Sequence, residues 1–90
     1  QLNSAVGSAL YMSPERVQGE AYSTPADIWS FGCTIIELAT GQTAFDPQQS
    51  VIELWESIVM DPSPRLANSA LSSLVDGCLE KDPQRRPTAK

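Results

Sequence analysis

The stretch that most constrains this chain runs from Thr24 to Thr40 and is followed by Gly41. Thr24 is a suitable helix N-cap, because its hydroxyl can accept a hydrogen bond from an unpaired amide of the first turn. Pro25 then occupies the first helical position, where a missing N–H has no cost. Asp27, three residues after Thr24, can close a capping box, and its charge suits the positive helix end. Gly41 provides a C-terminal stop, so the pattern predicts one long helix.

Apolar or small side chains cover most of the circumference of this predicted helix. They are Ile28, Trp29, Phe31, Gly32, Cys33, Ile35, Ile36, Leu38 and Ala39. A narrow polar stripe, formed by Asp27, Ser30, Thr34 and Glu37, interrupts them. A helix this apolar belongs inside a protein, with other elements packed on several sides. The helix is too short, and its stripe too polar, to span a membrane.

Length and charge limit the classes of protein to consider. Ninety residues allow one small domain or a piece of a larger one. The net charge is −5, and no basic cluster precedes residues 81–86, which argues against nucleic acid as the main partner. No signal peptide or transmembrane run is visible, so no membrane partner is expected. The chain opens on Gln1 rather than Met, which suggests a processed chain or an excerpt.

The cysteine and histidine content restricts the chemistry available to this chain. Cys33 and Cys78, the two cysteines, both lie in apolar helical patterns, so buried free thiols are expected rather than a disulfide. The chain has no histidine, which excludes a histidine-dependent triad within it. Two cysteines alone make a poor zinc site, and no metal site is expected.

The segments before the long helix give weaker signals. Residues 1–12 lack helical periodicity, and their glycine and serines favour an exposed, mobile loop. Residues 13–15, read Ser-Pro-Glu, combine a cap, a first-turn proline and an acid at the positive helix end. They predict a short helix that reaches about Gln18 and stops at Gly19.

Two further helices are predicted after the long one, and no convincing strand. Asp46 and Pro47 repeat the signal of a cap followed by a proline. The amphipathic surface helix after them carries Val51, Leu54, Trp55, Ile58 and Val59, and ends before Pro62. Asn68 or Ser69 can cap the next helix. Its apolar face comprises Leu71, Leu74, Val75, Cys78 and Leu79, and it ends at residues 81–83. The expected fold class is mainly α.

Three motifs in this order resemble the C-terminal lobe of eukaryotic protein kinases. Residues 13–15 match the family's Ala-Pro-Glu motif, with serine for alanine. Residues 27–32, Asp-Ile-Trp-Ser-Phe-Gly, match Asp-x-Trp-Ser-x-Gly on the family's central buried helix. Residues 78–88, Cys-Leu-Glu-Lys-Asp-Pro-Gln-Arg-Arg-Pro-Thr, match its last motif, whose key arginine falls on Arg86. Residues 3–8 and 12–16 look most like the mitogen-activated protein kinase kinases and their relatives.

The resemblance implies that residues 1–90 are part of a protein kinase domain. They would run from the end of the activation segment through the helical scaffold of the C-lobe. The N-lobe, catalytic loop and metal-binding motif are absent: the chain has no glycine-rich loop, Val-Ala-x-Lys, His-Arg-Asp or Asp-Phe-Gly. The parent is expected to be a serine/threonine or dual-specificity kinase, and this segment alone is expected to be inactive.

The same resemblance implies the cofactors and partners of the parent. It would use ATP and Mg²⁺, with no cofactor bound by residues 1–90 themselves. Its partners would be a protein substrate and an upstream activating kinase, and its location the cytoplasm. The alternative is a non-catalytic pseudokinase or truncated helical module that binds proteins through its helical surfaces. Intact lysine, His-Arg-Asp and Asp-Phe-Gly motifs upstream would favour the enzyme.

The resemblance also assigns structural roles to the motif residues. Glu15 and Arg86 would form a partly buried ion pair that ties the activation segment, with Ser13 and Pro14, to the lobe. Asp27 would accept hydrogen bonds from the catalytic-loop backbone. In the simpler interpretation, Glu15 and Arg86 are solvated surface charges and Asp27 is only a cap. Two further assignments, Trp29 in the core and Gly32 at a close packing contact, hold under both interpretations.

Two serines and one helix carry the remaining implied roles. Ser8 replaces a threonine that hydrogen-bonds the catalytic aspartate and lysine, and residues 8–13 would face the substrate. Serine keeps the necessary hydroxyl. Ser4 aligns with an activating phosphorylation site, although a plain loop serine is the alternative. The helix over residues 51–60 would either dock a substrate or regulator or simply cover the lobe. Isolated, the chain is expected to self-associate through its uncovered apolar side chains.

Overall fold

The computed structural model describes residues 4–20, 23–67 and 69–87. Within these ranges the chain is helical and contains no strand, which confirms the mainly α fold class. The α-helices are α1 (Ser4–Ala9), α2 (Pro14–Val17), α3 (Thr24–Thr40), α4 (Val51–Met60) and α5 (Ser72–Cys78). A short 3₁₀ helix follows at Pro83–Arg85.

Helix α3 has the predicted bounds but a different cap. Gly41 ends it in the left-handed conformation, with φ 76°. At the other end Ser23, not Thr24, is the N-cap, because its extended backbone lets the hydroxyl accept from the amide of Ala26 at 3.4 Å. Thr24 therefore lies inside the first turn. Asp27 follows the cap by four residues, one position beyond the one that a capping box uses.

The core lies between α3 and the other helices. Trp29 is fully buried, and its ring stacks on Phe45 with centroids 6.4 Å apart. Gly32 lies where α3 approaches α5 closely, since a Cβ at this position would lie 2.7 Å from the Cβ of Cys78. The core also includes Val6, Ala9, Leu10, Cys33, Ile35, Ile36, Leu54, Ile58, Leu66, Val75 and Leu79.

One face of α3 remains open among the described residues, which agrees with the expectation that some of its apolar side chains are left uncovered in this chain. Phe31 is 53% exposed and Leu38 is 82% exposed. Trp29, Cys33 and Ile36 on the opposite side are buried. The reason is that α5 and the 3₁₀ helix pack against α3 from its buried side.

Helix α1 occupies residues 4–9, within the stretch 1–12 for which the sequence predicts a loop. Val6, Ala9 and Leu10 lie at i, i+3 and i+4, and all three are buried. Helix α1 packs against α4, so tertiary burial stabilises a segment whose glycine and serines suggested a loop. Helix α2 begins at Pro14 as predicted, and Gly19 follows it with φ 92°.

Helix α4 starts later than its proline signal suggested. Ser50 is the N-cap, and it forms a capping box with Glu53: Ser50 Oγ accepts from Glu53 N at 3.2 Å, and Glu53 Oε1 accepts from Ser50 N at 2.9 Å. Asp46 instead accepts from Gln48 N at 2.8 Å within the preceding turn. The helix is amphipathic as predicted, although Trp55 on its predicted apolar face is 40% exposed.

Helix α5 begins at Ser72, after the predicted caps. Leu71 occupies the N-cap position without a side-chain bond, and Ser69 Oγ accepts from Leu71 N at 3.0 Å in the turn before it. The other expected cap, Asn68, lies outside the described residues. Val75, Cys78 and Leu79 are buried, whereas Leu71 is 44% and Leu74 41% exposed.

Both cysteines are buried free thiols, as predicted. Burial raises the pKa of Cys33 to about 12 and raises that of Cys78 as well, so both remain protonated at neutral pH. In the described parts of the chain, no helix combines the length and the apolar character needed to cross a membrane.

Candidate functional site

A buried ion pair joins α2 to the residue that follows the 3₁₀ helix. Arg86 Nη1 donates to Glu15 Oε2 at 2.7 Å, and Arg86 Nη2 donates to Glu15 Oε1 at 2.8 Å. The partners are 71 positions apart, and their side chains are 0% and 6% exposed. The structure therefore brings Glu15 and Arg86 together in a bidentate pair rather than leaving them as solvated surface charges.

Backbone carbonyls satisfy the rest of the guanidinium. Arg86 Nε donates to Glu80 O at 2.6 Å, Nη1 to Pro25 O at 3.0 Å, and Nη2 to Lys81 O at 3.2 Å. With the two bonds to Glu15, five hydrogen bonds match the five donors of an arginine. The guanidinium carbon also lies 5.2 Å from the centroid of the Trp29 ring. Arg86 thus fixes α2, the start of α3 and the turn after α5 to one another.

The electrostatics of the pair favour its charged form. Burial alone would raise the pKa of Glu15. The hydrogen bonds and positive charge of Arg86, with a backbone N–H bond, nevertheless hold the pKa of Glu15 below its ordinary value. The carboxylate is therefore ionised at neutral pH, where it accepts both guanidinium bonds.

Helix α2 gives Glu15 its orientation. Ser13 at the N-cap has extended backbone and is fully buried, and its carbonyl accepts from Val17 N at 3.0 Å. Pro14 at the first position has a fixed φ suited to a helix start. Glu15 follows in the first turn, where a negative charge also suits the helix end.

The segment before α2 is held to α3 by two contacts that the sequence did not reveal. The hydroxyl of Tyr11 donates to Glu37, and Ser30 Oγ donates to Tyr11 O at 2.7 Å. The hydrogen bond to Glu37, together with burial, raises the pKa of Tyr11 to about 12. Ser30 and Glu37, which bind this segment, both belong to the polar stripe of α3. That stripe was the only sign of these contacts in the sequence.

A surface cleft of about 180 Å³ lies between α1, α2 and the start of α3. Its lining consists of Ser8, Tyr11, Met12, Ser13, Arg16, Ala26 and Ser30. Ser8, at the end of α1, is exposed in this cleft. Arg16, another lining residue, donates a hydrogen bond to Glu20 O at 2.7 Å. The cleft therefore offers an accessible hydroxyl and a guanidinium next to the anchored segment 11–13.

The remaining predicted site residues are dispersed. Asp27 is exposed on the first turn of α3, and Gly32 lies in the middle of that helix against α5. Ser4 begins α1, but its side chain, like Asn3 and Thr88 of the motifs, lies outside what the structure describes. Over residues 4–20, 23–67 and 69–87, no group of three or more His, Cys, Asp or Glu side chains is placed to hold a metal ion.

Comparison with known proteins gives one family over the whole chain. The model of the protein kinase domain matches residues 1–90. Mitogen-activated protein kinase kinase 3 of Arabidopsis thaliana is 43% identical over 88 residues, covering 93% of this chain and 17% of that protein. Mitogen-activated protein kinase kinase 2 of the same plant is 43% identical over 98 residues, covering 98% and 27%.

A third relative comes from another plant. Mitogen-activated protein kinase kinase SIPKK of Nicotiana tabacum is 39% identical over 97 residues, covering 97% of this chain and 27% of that protein. The chain thus spans well under a third of the length of each of these relatives. The family match over every residue and these identities show that the chain belongs to the protein kinase domain family and is related to the mitogen-activated protein kinase kinases.

Proposed function

We propose that these ninety residues form part of the C-terminal lobe of a serine/threonine or dual-specificity protein kinase. The whole protein would transfer the γ-phosphoryl group of ATP to a protein hydroxyl, with Mg²⁺. The proposal assigns ATP and Mg²⁺ to other parts of the protein, because residues 1–90 lack the glycine-rich loop, Val-Ala-x-Lys, His-Arg-Asp and Asp-Phe-Gly motifs that bind them in the family. Residues 1–90 would supply the substrate-facing segment and the scaffold beneath it.

The buried pair between Glu15 and Arg86 is the observation that carries this proposal. It joins the first and last kinase-like motifs with all five guanidinium donors used. Segment 11–13, next to Glu15, is also fixed to α3 through Tyr11. A protein substrate must be presented in a fixed position for phosphoryl transfer, since catalysis of this reaction depends mainly on positioning and electrostatics. A segment anchored in this way suits that task.

Two residues would connect this scaffold to the catalytic centre. Ser8 is exposed in the cleft, where its hydroxyl could hydrogen-bond the catalytic aspartate and lysine. Asp27, exposed at the start of α3, would accept hydrogen bonds from the catalytic-loop backbone. Ser13, Pro14, Trp29 and Gly32 would hold these positions in place without contacting the reacting groups.

The names of the relatives suggest the partners. A mitogen-activated protein kinase kinase acts on a mitogen-activated protein kinase, so we propose a protein of that class as substrate. An upstream kinase would activate the protein. The test is phosphate transfer from ATP and Mg²⁺ to a kinase-inactive mitogen-activated protein kinase by the full-length protein. Absence of transfer after activation would overturn the proposal.

Substitution of Ser8 adds a residue-level test. Ser8→Ala should lower kcat at least tenfold, because the hydroxyl is lost, while Ser8→Thr should retain activity. Ser73→Ala, which changes an exposed serine on α5, is the matched control and should leave kcat unchanged. Equal kcat values for wild type and Ser8→Ala would remove Ser8 from the proposed catalytic centre.

A second candidate function is a non-catalytic module that binds proteins through its helical surfaces. The exposed apolar side chains Ile52, Trp55 and Met60 on α4 favour it. In an active kinase the same surface could instead dock a substrate or regulator. The upstream sequence discriminates between the two functions: loss of the lysine, His-Arg-Asp and Asp-Phe-Gly motifs would favour the binding module.

We also propose that phosphorylation of Ser4 activates the protein. The proposal rests on the resemblance, in which Ser4 aligns with an activating phosphorylation site, and a phosphate would add nearly two negative charges that could order this segment against a basic partner elsewhere in the protein. Wild-type and Ser4→Ala full-length proteins should be treated with the upstream kinase and assayed for phosphate transfer. The variant should remain near basal activity. Full activation of Ser4→Ala would show that the switch lies elsewhere.

A further inference from the structure

Three serine or threonine residues of this chain are followed directly by proline: Ser13, Thr24 and Ser63. Protein kinases that require this proline bind the acceptor residue in an extended peptide. The acceptor must therefore be reachable and outside a helix. Ser13 is fully buried, and Thr24 lies within the first turn of α3. Ser63 differs from both.

Ser63 lies in residues 62–67, the part of the connection between α4 and α5 that has no helix or turn. The prolines on both sides, Pro62 and Pro64, disfavour helical backbone at the residues before them. Ser63 is half-buried, and its neighbours Asp61, Pro62 and Arg65 are exposed. The segment therefore lies outside the helices and has exposed side chains close to the acceptor, as a modifying kinase needs.

The hydroxyl of Ser63 has a defined structural role. Ser63 Oγ donates to Leu79 O at 2.7 Å and ties the connecting segment to the end of α5. A surface groove of about 600 Å³ runs beside it, bounded by residues 60–65, Asp76 and residues 79–81. This groove has room for a phosphate group.

We propose that Ser63 is a phosphorylation site for a proline-directed serine/threonine kinase, and that its phosphate releases residues 62–65 from α5. In this step Ser63 Oγ forms a bond to the γ-phosphorus of ATP. The bond between that phosphorus and the β–γ bridging oxygen breaks, ADP leaves, and the hydroxyl proton passes to a base of the modifying kinase. The proposal does not depend on the catalytic activity of the protein itself.

Release follows from hydrogen bonding and charge. The ester oxygen of phosphoserine carries no hydrogen, so it cannot donate to Leu79 O. The phosphate adds about −1.5 to −2 charges to the groove. The charged side chains that line the groove are Asp61, Asp76, Glu80, Arg65 and Lys81, and acids outnumber bases among them.

The basic side chains of this groove are already engaged. Lys81 Nζ donates to Val59 O at 2.9 Å and to Asp61 O, where it caps the end of α4. Arg65 makes an exposed contact with Asp76 at 3.4 Å. A phosphate at Ser63 would compete for Lys81, so both the tether to α5 and the cap of α4 would weaken.

The test uses the full-length protein, ATP and an active mitogen-activated protein kinase as the proline-directed probe. Site-resolved mass spectrometry should find phosphate on Ser63 and none on buried Ser13. Pro64→Ala should reduce incorporation at Ser63 at least tenfold, while Pro62→Ala, its matched control, should not. The proposal is overturned if Pro64→Ala takes up as much phosphate on Ser63 as wild type does. It is also overturned if Ser63 of the wild-type protein stays unmodified.

Hydrogen–deuterium exchange tests the structural consequence. Phosphorylated protein should exchange faster in residues 59–67 and 79–81 than unmodified protein. Ser63→Ala should also exchange faster in these residues, because the hydrogen bond to Leu79 O is lost. Treating this variant with ATP and the probe kinase should not increase its exchange rate further. Unchanged exchange after stoichiometric phosphorylation of Ser63 would refute release from α5.

Discussion

Arg86 has no spare hydrogen-bond donor in this structure, and its carboxylate partner comes from the opposite end of the sequence. Removing one partner of a buried pair strands the other charge, which typically costs about 3–5 kcal/mol. Glu15→Ala and Arg86→Ala should therefore each lower the free energy of unfolding of the full-length protein strongly. The double variant should lose less than the sum of the two.

Urea denaturation of the four proteins in this double-mutant cycle is the measurement. Arg85→Ala is the matched control, because the Arg85 side chain is exposed and contacts Glu80 at 3.8 Å. Such surface pairs contribute about 0–1 kcal/mol. Additive losses for Glu15→Ala and Arg86→Ala would contradict direct energetic coupling.

The lowered pKa of Glu15 makes part of the stability dependent on pH. A group whose pKa is lower in the folded than in the unfolded state stabilises the fold above its unfolded pKa. That contribution disappears as the pH falls through the pKa of the folded state. The loss of stability is therefore expected below pH 4.5, the ordinary pKa of a glutamate. In thermal melts between pH 7 and 3, the gap in Tm between wild type and Glu15→Gln should narrow toward low pH. A constant gap would contradict this assignment.

Gly32 and Gly77 form a natural pair for testing helix packing. A Cβ at Gly32 would meet Cys78 Cβ at 2.7 Å, whereas a Cβ at Gly77 would meet Pro87 at an ordinary 3.5 Å. Gly32→Ala should destabilise the protein by about 1–3 kcal/mol through overpacking. Gly77→Ala should be neutral or stabilising by up to about 1 kcal/mol, since alanine favours helix. Chemical denaturation should give a lower free energy of unfolding for Gly32→Ala than for Gly77→Ala. Equal values for the two variants would contradict the close contact of α3 and α5.

The first residue of helix α4 is set by a capping box rather than by the proline signal before it. Ser50 and Glu53 satisfy each other's backbone amides, while Asp46 and Pro47 lie in the turn before them. Ser50→Ala should cost about 1 kcal/mol, as measured for other N-caps. Asp46→Ala, at the residue that the sequence suggested as the cap, should cost clearly less. A larger loss for Asp46→Ala in denaturation experiments would reverse this assignment.

At the scale of the whole molecule, an apolar surface remains uncovered. Phe31 and Leu38 on α3, with Ile52 and Met60 on α4, are among the most exposed large hydrophobic side chains of the described residues. A small chain that leaves such surface open has little burial to offset its conformational entropy. The isolated chain of residues 1–90 should therefore self-associate or pack loosely.

Analytical ultracentrifugation and thermal melting test this expectation. Phe31→Gln combined with Leu38→Gln should reduce self-association, whereas Thr34→Gln on the same helix should not. A monomer at high micromolar concentration with a sharp cooperative transition would show that the described helices suffice for a stable domain.

Local sequence signals predict much of the fold. The length of α3, its stop at Gly41, the amphipathic α4 and the buried cysteines all follow from local signals: periodicity, a positive-φ glycine and apolar composition. The order of three motifs also indicates that Glu15 and Arg86 form an ion pair. Such signals act within a few residues of the chain, so they can be read without knowing the neighbours.

The remaining features depend on contacts between distant segments. Helix α1 forms because Val6, Ala9 and Leu10 are buried where it packs on α4, an element far along the chain. The exposure of Phe31 and the anchoring of Tyr11 to Glu37 depend equally on which elements pack on α3. Burial and long-range hydrogen bonds are properties of pairs of distant segments, and a local pattern specifies only one member of each pair.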